Sequence, residues 1–337
     1  MTPRYEAPSR SITGTDANLL DQLRHADGRP YGFYKNALGA WDYGDFTLAI
    51  DHVQADPYAP PSSLRAWARP EAMGLPDAAL ASSDARLAAA DFIARSFDEA
   101  IRARGTRDVT IARAGALILQ RSYATVLPDR VEVRFQVKLP ARGRTILGRS
   151  AARLFDVDVP NIVMDCFDYV SEDPAITRKR SRLLAHVAAY EDYRALQSIL
   201  EERGWVSFVA DEAMLARRSG VSEAPLTGDG VVAFASPDSL RATVTLPHAG
   251  EVSGMAIPPG LTLIVGGGYH GKSTLLEAIA QGVYAHVPGD GRELVATDPT
   301  ATKVRAADGR AVTGVDISPF ITHLPGGADT TSFSTEN

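Results

Sequence analysis

The chain has 337 residues, which is long for a single hydrophobic core and predicts about two domains. Its 35 Lys and Arg against 41 Asp and Glu residues give a formal net charge of −6, which excludes a global basic field for holding nucleic acid. The single cysteine, Cys166, excludes an intramolecular disulfide, fits a reducing cytoplasm and is expected to be a buried structural thiol. The N-terminus has no apolar signal segment and no apolar run approaches membrane-spanning length, so we expect a cytoplasmic protein.

Residues 1–170 are predicted to form an α+β domain. The patterns favour helices over 19–25 and from about 82 to Gly105, strands over 46–50 and 131–139, and an irregular Pro-rich stretch over 56–61. The strand over 46–50 is expected to be half-buried, because apolar and small or polar residues alternate along it. The strand over 131–139 is the clearest, with one apolar and one polar face.

Residues 171–337 are predicted to form a second domain. A long helix over about 177–202 ends at Gly204 and leads into a strand over 205–209. The following patterns predict strands over 231–234, 240–246, 252–257 and 261–265, a helix from Ser273 to near His286, a tight surface loop over 288–291 and a hairpin joining 303–305 to 311–313. The last thirteen residues show no closing element, so the chain is expected to be unfinished.

One motif carries most of the chemistry. It fits the phosphate-binding pattern G-x-x-x-x-G-K-[ST] and consists of Gly266, Gly267, Gly268, Tyr269, His270, Gly271, Lys272 and Ser273. Glycines let backbone N–H groups wrap a polyphosphate, and a lysine can reach the β and γ phosphates. The serine hydroxyl can complete a Mg²⁺ coordination shell.

The residues on either side of the motif support this interpretation. The apolar, β-branched run over 261–265 is expected to be a buried parallel strand, and the helix from Ser273 would point its N-terminus at the phosphates. An ordinary glycine-rich turn from strand to helix is the alternative. The strand, loop and helix together favour nucleotide binding.

The sequence around the motif resembles the soluble family known as the predicted ATPases of the ABC class, which carry their own N-terminal domain. The matching stretches are 252–266, 264–276, 287–293, 315–320 and 333–337, with 46–62 and 143–168 resembling the family's N-terminal domain. The resemblance implies an ABC-type P-loop fold of class α/β, incomplete here, preceded by an α+β N-terminal domain. It also implies that residues 266–271 and Lys272 hold the phosphates, Ser273 the Mg²⁺ and Thr274 the α phosphate of ATP.

The chain departs from the family after the phosphate loop. The signature loop, the Walker B strand with its Mg²⁺-binding Asp and the catalytic carboxylate are not found downstream, and neither is a Q-loop glutamine. The run over 294–298 ends in an Asp but is interpreted as a plain strand end, and Asp316 is a weak substitute. We therefore expect a chain truncated before the signature loop that binds nucleotide weakly and hydrolyses little on its own, with unknown catalytic residues.

Other side chains have two interpretations each. His270 could add a phosphate contact but is expected to face solvent, and Phe234 or Tyr269 could stack on adenine, although core packing is favoured for Phe234. Two basic groups could line a nucleic-acid groove or form solvated helix faces. These groups are Arg178, Lys179, Arg180 and Arg182, and Arg142, Arg144, Arg149 and Arg153.

The resemblance implies that the complete protein hydrolyses ATP and works as a homodimer, because ABC sites close across two subunits. The rival interpretation is a nucleotide-gated RNA-binding protein, and a small-molecule kinase is a third. The chain has no guanine-reading N/T-K-x-D element, which favours ATP over GTP. A transporter is disfavoured because no membrane-spanning segment is predicted.

Overall fold

We analysed a computed structural model of the protein, which describes residues 11–228, 231–265, 270–303, 311, 313–324, 327 and 329–334. The chain divides into two compact units, Met1–Pro299 and Thr300–Asn337. In the parts of the chain that the structure covers, no helix is long and apolar enough to cross a membrane.

The first unit contains seven α-helices among its described residues. They are α1 Asp16–His25, α2 Pro70–Met73, α3 Ser83–Arg104, α4 Gly148–Arg153, α5 Val159–Phe167, α6 Pro174–Arg203 and α7 Lys272–Gln281. A π-helical turn, Leu154–Asp158, joins α4 to α5, and 3₁₀ turns lie at Tyr31–Ala37, Asp77–Ala79 and Asp238–Leu240.

Thirteen short strands accompany these helices in the described residues. They are β1 Gly14–Thr15, β2 Gly39–Asp42, β3 Thr47–His52, β4 Ser62–Ala68, β5 Val109–Thr110, β6 Ala124–Val126, β7 Val131–Val137, β8 Ala141–Arg142, β9 Thr145–Ile146, β10 Ser207–Ala210, β11 Arg241–Leu246, β12 Gly250–Ile257 and β13 Val295–Thr297.

The N-terminal part is built on a seven-stranded sheet with the order β1-β2-β3-β4-β7-β5, in which β6 also pairs with β7. All neighbours are antiparallel except β1 and β2. Alternation along β7 buries Val131, Val133, Phe135 and Val137, and Phe135 packs its ring 4.8 Å from that of Phe97 on α3. The apolar stripe of α3 therefore covers the sheet and closes the first core.

A second, four-stranded antiparallel sheet has the order β11-β12-β10-β13. Its tight packing has a local cause at Gly254, where a Cβ atom would lie 2.5 Å from both the Phe208 ring and the Val209 carbonyl oxygen. Only glycine lets β12 approach β10 at this point. Helix α7 packs on this sheet through Ala278, which is buried against Val209 and Val295.

Helix α6 belongs to both cores. Leu183 and Val187 in its first half pack into the N-terminal core, whereas Leu196 and Leu200 in its second half pack against the four-stranded sheet. The Asp173 side chain accepts a hydrogen bond from the Ala175 N–H, and Gly204 ends the helix with a φ of +64°.

Most of the predicted helices and strands are confirmed. The confirmed elements are helices α1, α3 and α6 and strands β7, β11 and β12. Helix α3 begins after its N-cap, Ser82, and stops before Gly105, as the sequence predicts. The strand predicted over 46–50 is β3, but it is buried on both faces rather than half-buried, because consecutive residues Leu48, Ala49 and Ile50 are all at most 1% exposed. Strands β2 and β4 and the helical stretch 148–167 were missed by the sequence patterns.

Of four further predictions in the C-terminal half, two are corrected, one is confirmed and one lies mostly outside the described residues. Residues 231–234 form no strand, because the Phe234 backbone bonds to the turn at 212–213. Helix α7 ends at Gln281 rather than near His286. The turn over 288–291 is present with Pro288 and Gly289 exposed, as predicted, although the Asp290 side chain is buried. The hairpin predicted from 303 to 313 lies mostly outside the described residues.

The second unit is described only in part. Val315 and Phe333 form an antiparallel bridge, and the Ile317 N–H donates to the Thr330 carbonyl oxygen at 2.8 Å. The Asp316 carboxylate accepts the Ser318 N–H at 2.9 Å, and the Ser318 side chain together with this N–H lowers the pKa of the exposed carboxyl group.

Candidate functional site

The structure describes the second half of the phosphate-loop motif. Gly266, Gly267, Gly268 and Tyr269 lie outside the described residues, so their conformation stays a prediction. His270 is exposed, as expected. Gly271 has a φ of +80°, and a Cβ atom there would meet nothing within 4 Å, so the backbone conformation and not the space demands glycine.

Helix α7 begins at Lys272, directly after Gly271. Ser273 is exposed, and Lys272 and Thr274 are half-buried on the first turn. The N–H groups of a first helical turn have no partner within the helix, and the helix dipole favours an anion there. The first turn of α7 can therefore accept a phosphate, and the Ser273 hydroxyl is open to a cation beside it.

The C-terminal end of α7 is held firmly. The Thr297 hydroxyl donates to the Ile279 carbonyl oxygen at 2.7 Å, while the Thr297 N–H and the Tyr193 hydroxyl donate to the Gly282 carbonyl oxygen at 2.9 and 3.1 Å. A side chain at Gly282 would bring its Cβ atom within 2.8 Å of the Thr297 hydroxyl. Helix α7 is therefore fixed at one end and exposed at the phosphate end.

A buried arginine joins α7 to the chain that precedes it. Arg292 donates to the Leu215 carbonyl oxygen through Nε and Nη2, and to the Gln281 side chain through Nη1 at 3.1 Å. Burial, with the nearby Arg217, lowers the pKa of Arg292 to about 10. The sequence patterns missed this role, which only the tertiary contacts define.

The turn after α7 contains a buried ion-pair cluster. The Asp290 carboxylate lies 2.5 Å from Arg217 Nη2 and 2.7 Å from His286 Nδ1. Burial by itself raises the pKa of Asp290, but the contacts with His286 and Arg217 outweigh it and lower this pKa overall. Among the described residues, His286 Nε2 is buried without a hydrogen-bond partner.

The run over 261–265 is not the buried strand that its composition predicts. It pairs with no described strand, and Leu261, Leu263 and Val265 expose 70, 74 and 81% of their surfaces. A parallel strand is buried only when other strands flank it and helices cover both faces. The described sheet around α7 is antiparallel and ends at β13, so the predicted parallel pairing is wrong for the chain as described.

Residues 294–298 form a plain strand end, as expected. Strand β13 pairs with β10, and the Asp298 N–H donates to the Val206 carbonyl oxygen at 2.9 Å. Within the described ranges, no group of three or more His, Cys, Asp or Glu side chains is placed to hold a metal ion. Ser273, to which the sequence assigns magnesium, lies exposed on the first turn of α7, and its role as a ligand stays a prediction.

The two aromatic candidates have different outcomes. Phe234 packs against the cluster of Val209, Met255 and Val295, which agrees with its expected core role. Tyr269 lies outside the described residues. Cys166 is fully buried near the Ile93 carbonyl oxygen, and burial raises its pKa to about 12, as expected for a structural thiol.

The denser basic group is largely used inside the protein. Lys179 donates to the carbonyl oxygens of Asp165 and Cys166, Arg180 to that of Tyr169, and Arg182 makes two hydrogen bonds with Glu99. These side chains tie α6 to α3 and to the end of α5. Three of the four members are thus engaged in hydrogen bonds within the protein, which favours a structural role for them over a nucleic-acid groove, whereas Arg178 is exposed.

The looser basic group is exposed. Arg142 and Arg144 lie on the β8–β9 hairpin, and Arg149 and Arg153 lie on α4. The Tyr31 N–H donates to the Arg144 carbonyl oxygen, and the Asp27 carboxylate accepts the Gly148 N–H. Residues 27–31 therefore contact both the hairpin and the start of α4. Arg149 lies 4.0 Å from Asp27.

Comparison with known proteins identifies two family domains. Residues 17–169 match the family described as ATPase of the ABC class, N-terminal, and residues 179–337 match the ABC-ATPase P-loop domain. An uncharacterized protein of Methanocaldococcus jannaschii is 32% identical over 138 residues, which are 39% of this chain and 31% of that protein. The matched region thus spans less than a third of that relative. The two family matches, with the helix that begins at Lys272, lead to one conclusion: the chain belongs to the ABC-class ATPases and combines their N-terminal domain with their P-loop domain.

Proposed function

We propose that this protein binds Mg-ATP through residues 266–274, and that the complete protein hydrolyses ATP. The carrying observation is the start of α7, where Gly271 in a left-handed conformation precedes Lys272 and an exposed first turn, in a stretch that matches a P-loop domain. We also propose a domain boundary near residue 170, between the two matched stretches.

The residues of the loop have distinct proposed roles. The backbone N–H groups of 266–271 and the Lys272 ammonium group hold the β and γ phosphates, and the Thr274 side chain contacts the α phosphate. The Ser273 hydroxyl contributes one ligand to Mg²⁺, which neutralises phosphate charge when it is bound. The anchored C-terminal end of α7 keeps this first turn in place.

Hydrolysis, dimerisation and location are further parts of the proposal. Phosphoryl transfer needs an oriented water and a second magnesium anchor, and no residue of this chain is assigned to either task. Homodimerisation follows from the family's two-subunit sites, and a cytoplasmic location from the single buried cysteine.

Equilibrium titration with Mg-ATP tests the binding site. Lys272→Ala removes a charge-assisted contact and is expected to weaken binding about tenfold or more. Ser273→Ala should reduce the difference in affinity between Mg-ATP and ATP in EDTA. Lys35→Ala, an exposed lysine on the 3₁₀ turn Tyr31–Ala37, is the matched control and should bind as the wild type does.

Equal affinity in the Lys272→Ala and Lys35→Ala variants would contradict the proposal. Competition with GTP tests the preference for ATP. A phosphate-release assay tests the expectation of little turnover, which a rate of roughly 1 per second or faster from these 337 residues would overturn.

A second function, nucleotide-gated RNA binding, is supported by the exposed arginines of the β8–β9 hairpin and α4. Arg142, Arg144 and Arg153 have no ion-pair partner among the described residues. If they contact phosphates, the salt dependence of binding to single-stranded RNA should lose about 0.7 in slope for each arginine changed to Gln. Arg102→Gln, an exposed arginine of α3, is the control, and equal slopes would exclude this surface.

A further inference from the structure

A short loop lies between helix α3 and the residues that follow α7, and we call residues 115–119 the coupling segment. The Ile118 N–H donates to the Ala285 carbonyl oxygen at 2.8 Å, and the Val287 N–H donates to the Ala116 carbonyl oxygen at 2.9 Å. Between these bonds Leu117 and His286 form an antiparallel bridge. The chain that leaves α7 is therefore paired with the coupling segment.

Two arginines hold the other side of the coupling segment. Arg95, on α3, donates to the carbonyl oxygens of Gly115 and Leu117 at 2.7 and 2.8 Å. Arg121 donates to the same Leu117 oxygen at 3.0 Å. A planar guanidinium with several fixed donors can hold two carbonyl groups at once, which an ammonium cannot do in the same geometry.

One buried carboxylate orients both arginines. Asp91 is fully buried and accepts from Arg95 Nε at 2.7 Å and from Arg121 Nε at 2.6 Å, and its Oδ2 lies 3.1 Å from His186 Nε2 on α6. Burial raises the pKa of Asp91, but these partners outweigh it and lower the pKa to about 2. Asp91 is therefore ionised near neutral pH, and the arginines have little freedom to turn.

The coupling segment is also fixed by packing. The Ile118 side chain is buried in the same cluster as Leu196, Phe208 and Ala285. The Ala116 N–H donates to the Glu223 carboxylate at 3.1 Å. If the residues after α7 move, either their hydrogen bonds with the coupling segment break, or the segment moves with them and its bonds to Arg95 and Glu223 break.

We propose that Arg95 is a positioning residue that couples the phosphate loop to helix α3 through the coupling segment. Only three residues separate the anchored end of α7 at Gln281 from Ala285, so a loss of α7 motion on nucleotide binding restricts the paired segment as well. By thermodynamic reciprocity, the state of α3 and the coupling segment then sets nucleotide affinity. This inference rests on the proposed binding of Mg-ATP.

Hydrogen exchange of the full chain, with and without saturating Mg-ATP, tests the coupling. Nucleotide should slow exchange of the amides of Ala116, Ile118 and Val287. Arg95→Lys keeps the charge beside Asp91 but loses the two-carbonyl geometry, so it should abolish this slowing and weaken Mg-ATP binding about fivefold. Arg102→Lys, on the same helix, should change neither quantity.

The outcomes separate the two proposals. Saturable Mg-ATP binding by the wild type without any change in exchange at these amides overturns the coupling alone, and so does an Arg95→Lys variant that matches the wild type in both measurements. Absence of saturable binding by the wild type overturns the proposed function and the coupling together. The wild-type exchange measurement decides the matter even if Arg95→Lys fails to fold.

Discussion

Two runs of strand-forming residues differ in whether they pair with other strands and become buried. The run over 131–137 becomes β7, with β4 on one side and β5 and β6 on the other, and its apolar side chains are buried. The run over 261–265 has a higher apolar and β-branched content, yet it pairs with no described strand and is largely exposed. Local composition therefore predicts the tendency to form a strand, and neighbouring strands decide whether one forms.

The N-terminal region and the region around α7 each contain a buried carboxylate, Asp91 and Asp290, and the two differ in how completely their partners are hydrogen-bonded. In the N-terminal region, Asp91 has charged partners on both carboxylate oxygens. In the phosphate-loop region, Asp290 is also paired, but the Nε2 atom of its partner His286 is buried without a hydrogen-bond partner among the described residues. The Asp91 cluster is thus more completely paired than the Asp290 cluster, although Ser96 Oγ and the Tyr123 and Tyr169 hydroxyl groups of the N-terminal region are also buried without a hydrogen-bond partner among the described residues.

The largest expected effect is at Asp91. Asp91→Ala leaves Arg95 and Arg121 without the carboxylate that compensates their charge, which should lower the free energy of unfolding by about 3–5 kcal/mol. Urea denaturation measures it. Asp98→Ala on the same helix removes the partner of the exposed Arg102 and should cost less than about 1 kcal/mol. Similar losses in the two variants would contradict the contrast between buried and exposed ion pairs.

The contrast between the two runs is tested by one substitution made twice. Leu64→Ala in β4 removes a side chain that is 1% exposed and should cost about 2–5 kcal/mol, because it leaves a cavity. Leu263→Ala changes a side chain that is 74% exposed and should alter the free energy of unfolding by at most about 0.5 kcal/mol. A loss above about 2 kcal/mol at Leu263 would show that 261–265 is buried after all.

Acid should weaken the N-terminal region through Asp91. Its folded-state pKa of about 2 lies below the ordinary value near 3.9, so its stabilisation is present above about pH 4 and is lost as the pH falls toward 2. The loss should be about 2 kcal/mol, measured by urea denaturation at pH 5 and pH 2.5. Asp91→Asn should show a smaller acid-induced loss than the wild type, and an equal loss would contradict the assignment.

The smallest effect is expected at the surface pair between Glu99 and Arg182, whose side chains are 44 and 56% exposed. Glu99→Gln should lower the free energy of unfolding, measured by urea denaturation, by less than about 1 kcal/mol. A loss of unfolding free energy as large as that of Asp91→Ala would show that this pair, and not the buried cluster, holds α3 to α6.

The sequence predicted the elements whose determinants are local. Helix α3 was found with both ends, since Ser82 accepts the Ala85 N–H and Gly105 adopts a φ of +65°. The alternation along β7 and the start of α7 were also predicted. By contrast, the Asp91 and Asp290 clusters were missed, because each joins a pair four positions apart to distant partners. Arg121 and His186 lie 30 and 95 positions from Asp91, and Arg217 lies 73 positions from Asp290.

By itself, the sequence predicted the chemistry of the phosphate loop, since the glycines, Lys272 and Ser273 stand at the spacing of the phosphate-binding pattern. Family comparison supports the same two-part organisation. Only the tertiary structure decided that 261–265 is exposed and that Arg182 pairs with Glu99 on the surface. It also decided that Arg95 holds the coupling segment, which pairs with the residues after α7. The physical reason is that burial and pairing depend on groups brought together by folding, whereas loop chemistry depends on residues adjacent in the chain.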